Sequence, residues 1–533
     1  MIDIASRVYN HNWKIDPIVR SLLDIDFYKL LMAQFVLRNS PDVTVEFSVI
    51  NRSNKIPLTK LIDEQELREQ LDNIKNLSLT RGESTWLRGN SFYGKHAIFR
   101  PEFINWLEKL RLPDYYLKKN GDQFDIKFKG LWPEVMFWEV PVLSVITELR
   151  SRAILKNMGR FDLQILYARA MTKLWEKIEK FKAFDDIRIA DFGTRRRHSF
   201  LWQDWCIQAM IEGLDKRFIG TSNCLIAMKR DLEAIGTNAH ELPMIYSALS
   251  KEEKDLKKAQ YDVLEKWHKE HDGNLRVILP DTYGLENFFK NSPKWLASWT
   301  GIRIDSVDLE KNAELAINWW KKEGEDIKKK LLIFSDGLDT EKIIYLHKRF
   351  SNEIQVGFGW GTLLTNDFRG LSNNSTLDPF SIVCKATSAN GKPTVKLSDN
   401  KYKTMGPPKE IQKYREIFEL KKQNLGEYQK LYRLPEHPKM SVHRLDQNGI
   451  IALPPGYHKI KIIITDAAGN TAIANGVMLG TFPMSIKAKE IARDDNQISI
   501  EISPTRGGLA IRDATVYAFT PVSYTHLRAH ETV

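Results

Sequence analysis

The stretch Gly236-Thr237-Asn238-Ala239-His240-Glu241 places a histidine four residues past a glycine, in a segment whose neighbours are rich in turn-forming residues. A neutral imidazole offers a nucleophilic or basic nitrogen near neutral pH, so His240 is a candidate for group transfer. Taken alone, a loop histidine is more often a satisfied polar residue than a catalyst. Arg195, Arg196 and Arg197 are consecutive and begin four residues after Asp191. Guanidinium forks grip phosphate or carboxylate through two parallel bonds, although a surface basic patch has the same composition. Asp281 and Asp305 each follow a short apolar run. Such carboxylates can hold a divalent cation or balance a developing positive charge, and they can also cap helices. Gly357, Gly359 and Gly361 precede Thr362, and Ser335-Asp336-Gly337 is a second short turn. Glycines without Cβ let backbone N–H groups approach phosphate oxygens, and a helix N-terminus beyond them would add positive potential; an ordinary tight turn is the alternative.

These residues recur at one kind of place. Helix-like stretches at 144–157, 162–182, 199–214, 251–270 and 309–329 alternate with short apolar strands at 187–190, 275–278, 302–304, 331–334 and 354–357. Asp191 to Arg197, Asp281, Asp305, Ser335 to Gly337 and Gly359 to Thr362 follow those strands directly. In α/β barrels, ligands are held at the C-terminal strand ends, where the βα loops converge. Periodicity does not by itself separate a barrel from an open sheet. Upstream, 22–38 reads as a helix and 43–49 as a half-buried strand; Tyr28 on that helix is a core aromatic by pattern alone.

The chain has 79 Lys and Arg against 68 Asp and Glu, a net charge of +11 that suits polyanionic ligands. The lysines are interleaved with acids on helix-like stretches, which describes solvated helix faces and argues against nucleic acid. Three cysteines, Cys206, Cys224 and Cys384, lie far apart, so no disulfide framework and no metal motif is expected. Residues 1–16 lack an apolar signal-like run, and no stretch is long and apolar enough to span a membrane; a cytoplasmic protein is expected.

In order along the chain, Phe192-Gly193-Thr194-Arg195-Arg196-Arg197, Gly220-Thr221-Ser222-Asn223, the His240 loop, Leu279-Pro280-Asp281-Thr282-Tyr283-Gly284, Arg303-Ile304-Asp305-Ser306, Ser335-Asp336-Gly337 and Phe358-Gly359-Trp360-Gly361-Thr362 resemble the nicotinate phosphoribosyltransferase family over about residues 15–425. The resemblance implies an irregular α/β barrel of the type II phosphoribosyltransferase kind with an α/β N-terminal domain. It implies a reaction of nicotinate, phosphoribosyl pyrophosphate and ATP, with Mg²⁺ and a phosphorylated His240. Tyr28, Arg195, Thr237 and Arg303 would meet nicotinate. Arg196, Ser335, Gly337, Gly359, Gly361 and Thr362 would meet the phosphorylated sugar and diphosphate, with Asp281 and Asp305 catalytic. A homodimer with shared sites is implied by the place of Tyr28 in the N-terminal domain. The family usually has glycine where this chain has Val307, in Asp305-Ser306-Val307-Asp308. A related nicotinamide or quinolinate phosphoribosyltransferase is the near alternative, and a non-enzymatic nucleic-acid-binding protein the distant one.

The expected domains are 1–135 (N-terminal α/β), 136–365 (barrel), 366–426 (packing back on the N-terminal domain, with a strand pair around Gly391 and a helix ending near Asn424) and 435–520. The last reads as an all-β, sandwich-like module, because period-two β-branched segments replace helical periodicity. It is expected to be foreign to the enzyme, with 521–533 an artefactual or disordered tail.

Overall fold

In the computed structural model, the described residues are 16–53, 55–306, 308–371, 376–398, 403–420 and seven strands between 450 and 528. The chain divides into two compact units, Met1–Arg433 and Leu434–Val533.

The first unit holds two sheets. One is antiparallel, in the order Lys392–Pro393, Ile382–Ala389, Thr44–Asn51, Gln123–Leu131, Tyr115–Asn120. Strands from beyond residue 380 therefore complete the N-terminal sheet. The period-two pattern of Thr44–Asn51 puts Val45 and Phe47 into the core with no exposure. The second sheet is wholly parallel, in the order Phe218–Thr221, Ile189–Asp191, Gln355–Trp360, Leu331–Phe334, Gly301–Ile304, Val277–Ile278. This is the cyclic order of a six-strand ring opened between Phe218–Thr221 and Val277–Ile278. The seam is bridged by the chain leading to His240. Ala234 pairs in parallel with Thr221, Ile235 N donates to Thr221 O at 2.8 Å, and Asn238 Nδ2 donates to Val277 O at 3.2 Å. The barrel is irregular because a loop, and not a strand, fills one position.

The helices between strands are set by their caps. Ser199, Asn223, Asp308 and Asp339 each accept a hydrogen bond from a first-turn N–H, a contribution of about 1 kcal/mol apiece. Leu309–Lys322 stops short of the expected 329 because Gly324 turns the chain at φ +82°. The 144–157 helix is in fact Glu139–Leu155, and nearly every residue in it is buried. A helix buried all round carries no amphipathic signal at its start. The strand Phe218–Thr221 was not expected; it is four residues long and contains Gly220 at φ +139°.

After the barrel, the helix Pro408–Ile417 is present, and Asn424 lies outside the described residues. In the second unit, Ile450–Leu453, Met484–Arg493 and Ile498–Pro504 form a three-stranded antiparallel sheet. Gly456–Thr465 pairs with Thr471–Gly480, and Thr515–Thr520 with Ser523–Arg528. The strand Ser523–Arg528 falls within the segment read as a tail.

Candidate active site

His240 is buried at 7% exposure, against the expectation of an exposed loop side chain. Its Nδ1 lies 3.0 Å from Thr282 Oγ1; its Nε2 lies 3.3 Å from Asp305 Oδ2 and 3.4 Å from Asp281 Oδ1. Two carboxylates around Nε2 assign the proton there, so the Thr282 hydroxyl donates to Nδ1. Burial lowers the imidazole pKa to about 4, against the opposing pull of Asp281. The ring is therefore neutral at pH 7, with a lone pair on Nδ1.

Asp281 and Asp305 are not helix caps. Gly284 and Asp308 hold the cap positions of the helices that follow. Both carboxylate oxygens of Asp281 are buried without a hydrogen-bond partner, the nearest cation being Lys396 Nζ at 3.7 Å. Burial pushes the Asp305 carboxyl up, but Lys403, the His240 hydrogen bond, Arg303 and Lys396 together hold it well below the usual range. Ligand atoms of His240, Asp281 and Asp305 lie within 4.8 Å of one another, close enough to hold one metal ion. No sequence motif revealed this trio, because its members come from three loops far apart in the chain. Asp281, with two unpartnered buried oxygens, fits a hard cation such as Mg²⁺ better than the imidazole does.

Two cations that sequence reasoning missed complete this end of the site. Lys403 Nζ lies 2.9 Å from Asp336 Oδ1, 3.6 Å from Asp305 Oδ1, and donates to Asp305 O at 2.8 Å. Lys396 is buried, and burial lowers its pKa to about 8. Its segment is pinned to the site loop by Leu397 N donating to Thr282 O at 2.9 Å. The available signal was a lysine between Val395 and Leu397, two fully apolar positions that are both buried.

Arg195 forms a second group with Tyr28. Its Nε is 3.3 Å from Asp26 Oδ2, its Nη1 is 3.7 Å from Glu139 Oε1, and its guanidinium lies 6.0 Å from the Tyr28 ring. The side chain keeps 36% exposure, so it can still take an anion. Tyr28 packs against Gly236 of its own chain, where an added Cβ would fall 2.7 Å from Tyr28 N. Arg196 donates from Nε to Ile382 O at 3.1 Å, and Arg197 is buried in a two-pronged pair with Asp24 at 2.6 and 2.7 Å. The three arginines do not act as one cluster.

Thr237, Arg303, Phe192 and Gly359 line a mostly apolar cavity of about 740 Å³ that extends to the strand starts at Arg188, Leu331 and Gln355, and His240, Tyr28 and Arg195 are not among its lining residues. Arg303 Nε is buried there with no hydrogen-bond partner, leaving a donor for a ligand. Ser335 Oγ is 3.3 Å from Asp305 Oδ1, and Gly337 turns at φ +56° beside it. The glycine argument needs correction at 359. A Cβ there would lie 2.3 Å from the Phe192 ring, so that glycine admits an aromatic side chain and not a phosphate. Thr362 opens a helix of only four residues, too short for an appreciable macrodipole. Val307 lies outside the described residues.

A six-stranded parallel α/β barrel carrying a neutral histidine, paired carboxylates and convergent cations offers a site suited to phosphorylated ligands. The matching family models are narrower. The "Nicotinate phosphoribosyltransferase (NAPRTase) family" covers residues 187–422, and its N-terminal domain covers 23–147; the chain belongs to that family. Nicotinate phosphoribosyltransferase of Porphyromonas gingivalis superposes with a TM-score of 0.67 at 28% identity, over 76% of this chain and 100% of that one. The Vibrio cholerae enzyme gives 0.68 at 27% identity, over 78% and 97%. Among the described residues no helix is long and apolar enough to cross a membrane.

Proposed function

We propose that this chain makes nicotinate mononucleotide, a precursor of NAD, from nicotinate and phosphoribosyl pyrophosphate, and couples that step to ATP hydrolysis through a phosphorylated His240. The observation that carries the reading is the neutral, buried His240, its Nε2–H held by carboxylates and its Nδ1 lone pair beside a rotatable hydroxyl. Once the Thr282 hydroxyl turns away, Nδ1 attacks the γ-phosphorus of ATP and the bond to the ADP oxygen breaks. Asp305 and Asp281 balance the positive charge that grows on the ring. Water later cleaves the N–P bond, releasing phosphate and restoring neutral His240. The negative phosphoryl group on the loop biases a rearrangement that closes the site.

In the sugar transfer, the C1–O bond to diphosphate breaks and the pyridine nitrogen of nicotinate bonds to C1. That nitrogen carries no proton, so no general base is required. Arg195 and Arg303 orient the nicotinate carboxylate, with Tyr28 and Thr237 against the ring. Ser335, Gly337, Gly361 and Thr362 receive the 5-phosphate, and Arg196, Lys396 and Lys403 receive the diphosphate and ATP phosphates. Asp281 and Asp305 would hold Mg²⁺, which when bound neutralises leaving-group charge. The protein is proposed to work in the cytoplasm as a homodimer.

The test is nucleotide formation by the purified chain with nicotinate, nicotinamide or quinolinate, each with and without ATP. Nicotinate turnover enhanced by ATP supports the proposal. Preference for nicotinamide, which offers no carboxylate to Arg195 and Arg303, or for quinolinate, would replace it.

A further inference from the structure

Beneath the site runs a connected line of buried charges with no assigned task. Glu139 Oε1 faces Arg195 Nη1 at 3.7 Å and Lys385 Nζ at 2.8 Å; its Oε2 faces Lys29 Nζ at 2.6 Å. Lys29 Nζ lies 2.5 Å from Glu241 Oε2, and Glu241 Oε1 accepts from Trp132 Nε1 at 2.7 Å. The Lys29 side chain has no exposure, and those of Glu139 and Glu241 have 2% and 5%. Burying this many charges is an inefficient way to stabilise a core, where apolar packing of the same volume does as well. The line also begins and ends at meaningful places. It starts at Arg195, whose guanidinium is the partly exposed member. It ends at Glu241, the first residue of the helix for which His240 is the cap and whose Met244 N bonds to His240 O at 3.0 Å.

We infer that Glu139, Lys29 and Glu241 form a positioning relay that reports a carboxylate bound at Arg195 to the His240 loop. The inference rests on the nicotinate reading above. Glu139 shares three cations, and Lys29 is shared by two carboxylates. A ligand carboxylate that draws Arg195 away leaves Glu139 with fewer partners, so Lys29 moves toward Glu139 and loosens its hold on Glu241. In a low-dielectric interior such a redistribution is strongly felt. The helix start that fixes the His240 backbone is then free to shift, and ATP chemistry becomes sensitive to nicotinate.

The experiment uses the full chain and measures three quantities: ATP turnover without nicotinate, ATP turnover with saturating nicotinate, and nicotinate affinity by calorimetry. Linked sites commonly differ by roughly 5- to 150-fold, and stimulation of that size is expected for the unaltered chain. Glu139→Gln should bring the stimulation to within about twofold of unity. Nicotinate affinity should stay equal or rise, because Arg195 loses a competitor. Trp132→Phe, which removes the N–H to Glu241 along with part of the buried ring, tests the far end and, in a variant with an unchanged melting midpoint, should lower the stimulation without altering nicotinate affinity. It carries the test alone if Glu139→Gln does not fold. Wild-type stimulation in the folded variants overturns the relay. So does a loss of stimulation that merely tracks a loss of nicotinate affinity, since that marks a damaged site. Absence of stimulation in the unaltered chain removes the nicotinate–ATP reading itself, and the relay with it, before any substitution is made.

Discussion

The Asp305 carboxylate sits 3.3 Å from Nε2 of His240 and selects the tautomer that leaves Nδ1 unprotonated. Nothing in the loop sequence around His240 specifies this. The partner comes from the strand end after Gly301–Ile304, and Lys403, itself paired with Asp336, holds it in place from a further segment.

His240→Ala should abolish ATP coupling while the protein remains folded. Because the side chain is buried and makes two polar contacts, a stability loss of about 1–3 kcal/mol is expected. Nicotinate-stimulated ATP hydrolysis at the wild-type rate in the folded variant would remove His240 from the mechanism.

Acid should destabilise the protein in a defined window. The His240 pKa is about 4 when folded and about 6.5 when unfolded. The unfolded chain therefore binds more protons below pH 6.5, and stability present above 6.5 is lost as pH falls toward 4. His240 alone accounts for about 3 kcal/mol, and buried His198 and His271, each lowered to about 3, act in the same direction. Melting curves at pH 7 and pH 5 check this; identical midpoints would contradict it.

Lys396 should set the alkaline limb. With a pKa of about 8 it loses its charge as pH rises through 8, and the KM for phosphorylated substrates should then increase. Lys396→Met should raise that KM at pH 7 and flatten the alkaline limb. An unchanged limb in the variant would assign it to another group.

Arg195→Ala should raise the KM for nicotinate by about 10- to 100-fold, the worth of one charge-assisted contact, and change the KM for ATP little. Steady-state kinetics with each substrate varied in turn decides it; equal losses for all substrates would mean that the site has collapsed.

The alternation of helices and strands was legible because most helices are amphipathic, and the chemistry-bearing residues at strand ends were legible with it. The start of the Glu139–Leu155 helix was not, since burial on every side erases the periodic signal. Lys396 and Lys403 were hidden for another reason. They belong to the segment that returns to the N-terminal sheet, and only the folded chain brings them beside Asp281 and Asp305. Gly359 was singled out for phosphate, whereas its neighbour is the Phe192 ring, a contact no local pattern encodes.

Residues 1–426 should be a self-sufficient enzyme. All the site residues lie in the first compact unit, which ends at Arg433. A truncation at 426 should be soluble and as active per mole as the full chain. Aggregation or loss of nicotinate mononucleotide synthesis would make the second unit an integral part.

The most direct test of the account is to incubate the protein with ATP labelled at its γ-phosphate and ask where the label goes. The account predicts an acid-labile, alkali-stable phosphoryl group on His240, discharged when nicotinate and phosphoribosyl pyrophosphate are added and absent from His240→Ala. Label that never joins the protein while ATP is consumed, or that persists in His240→Ala, would contradict it.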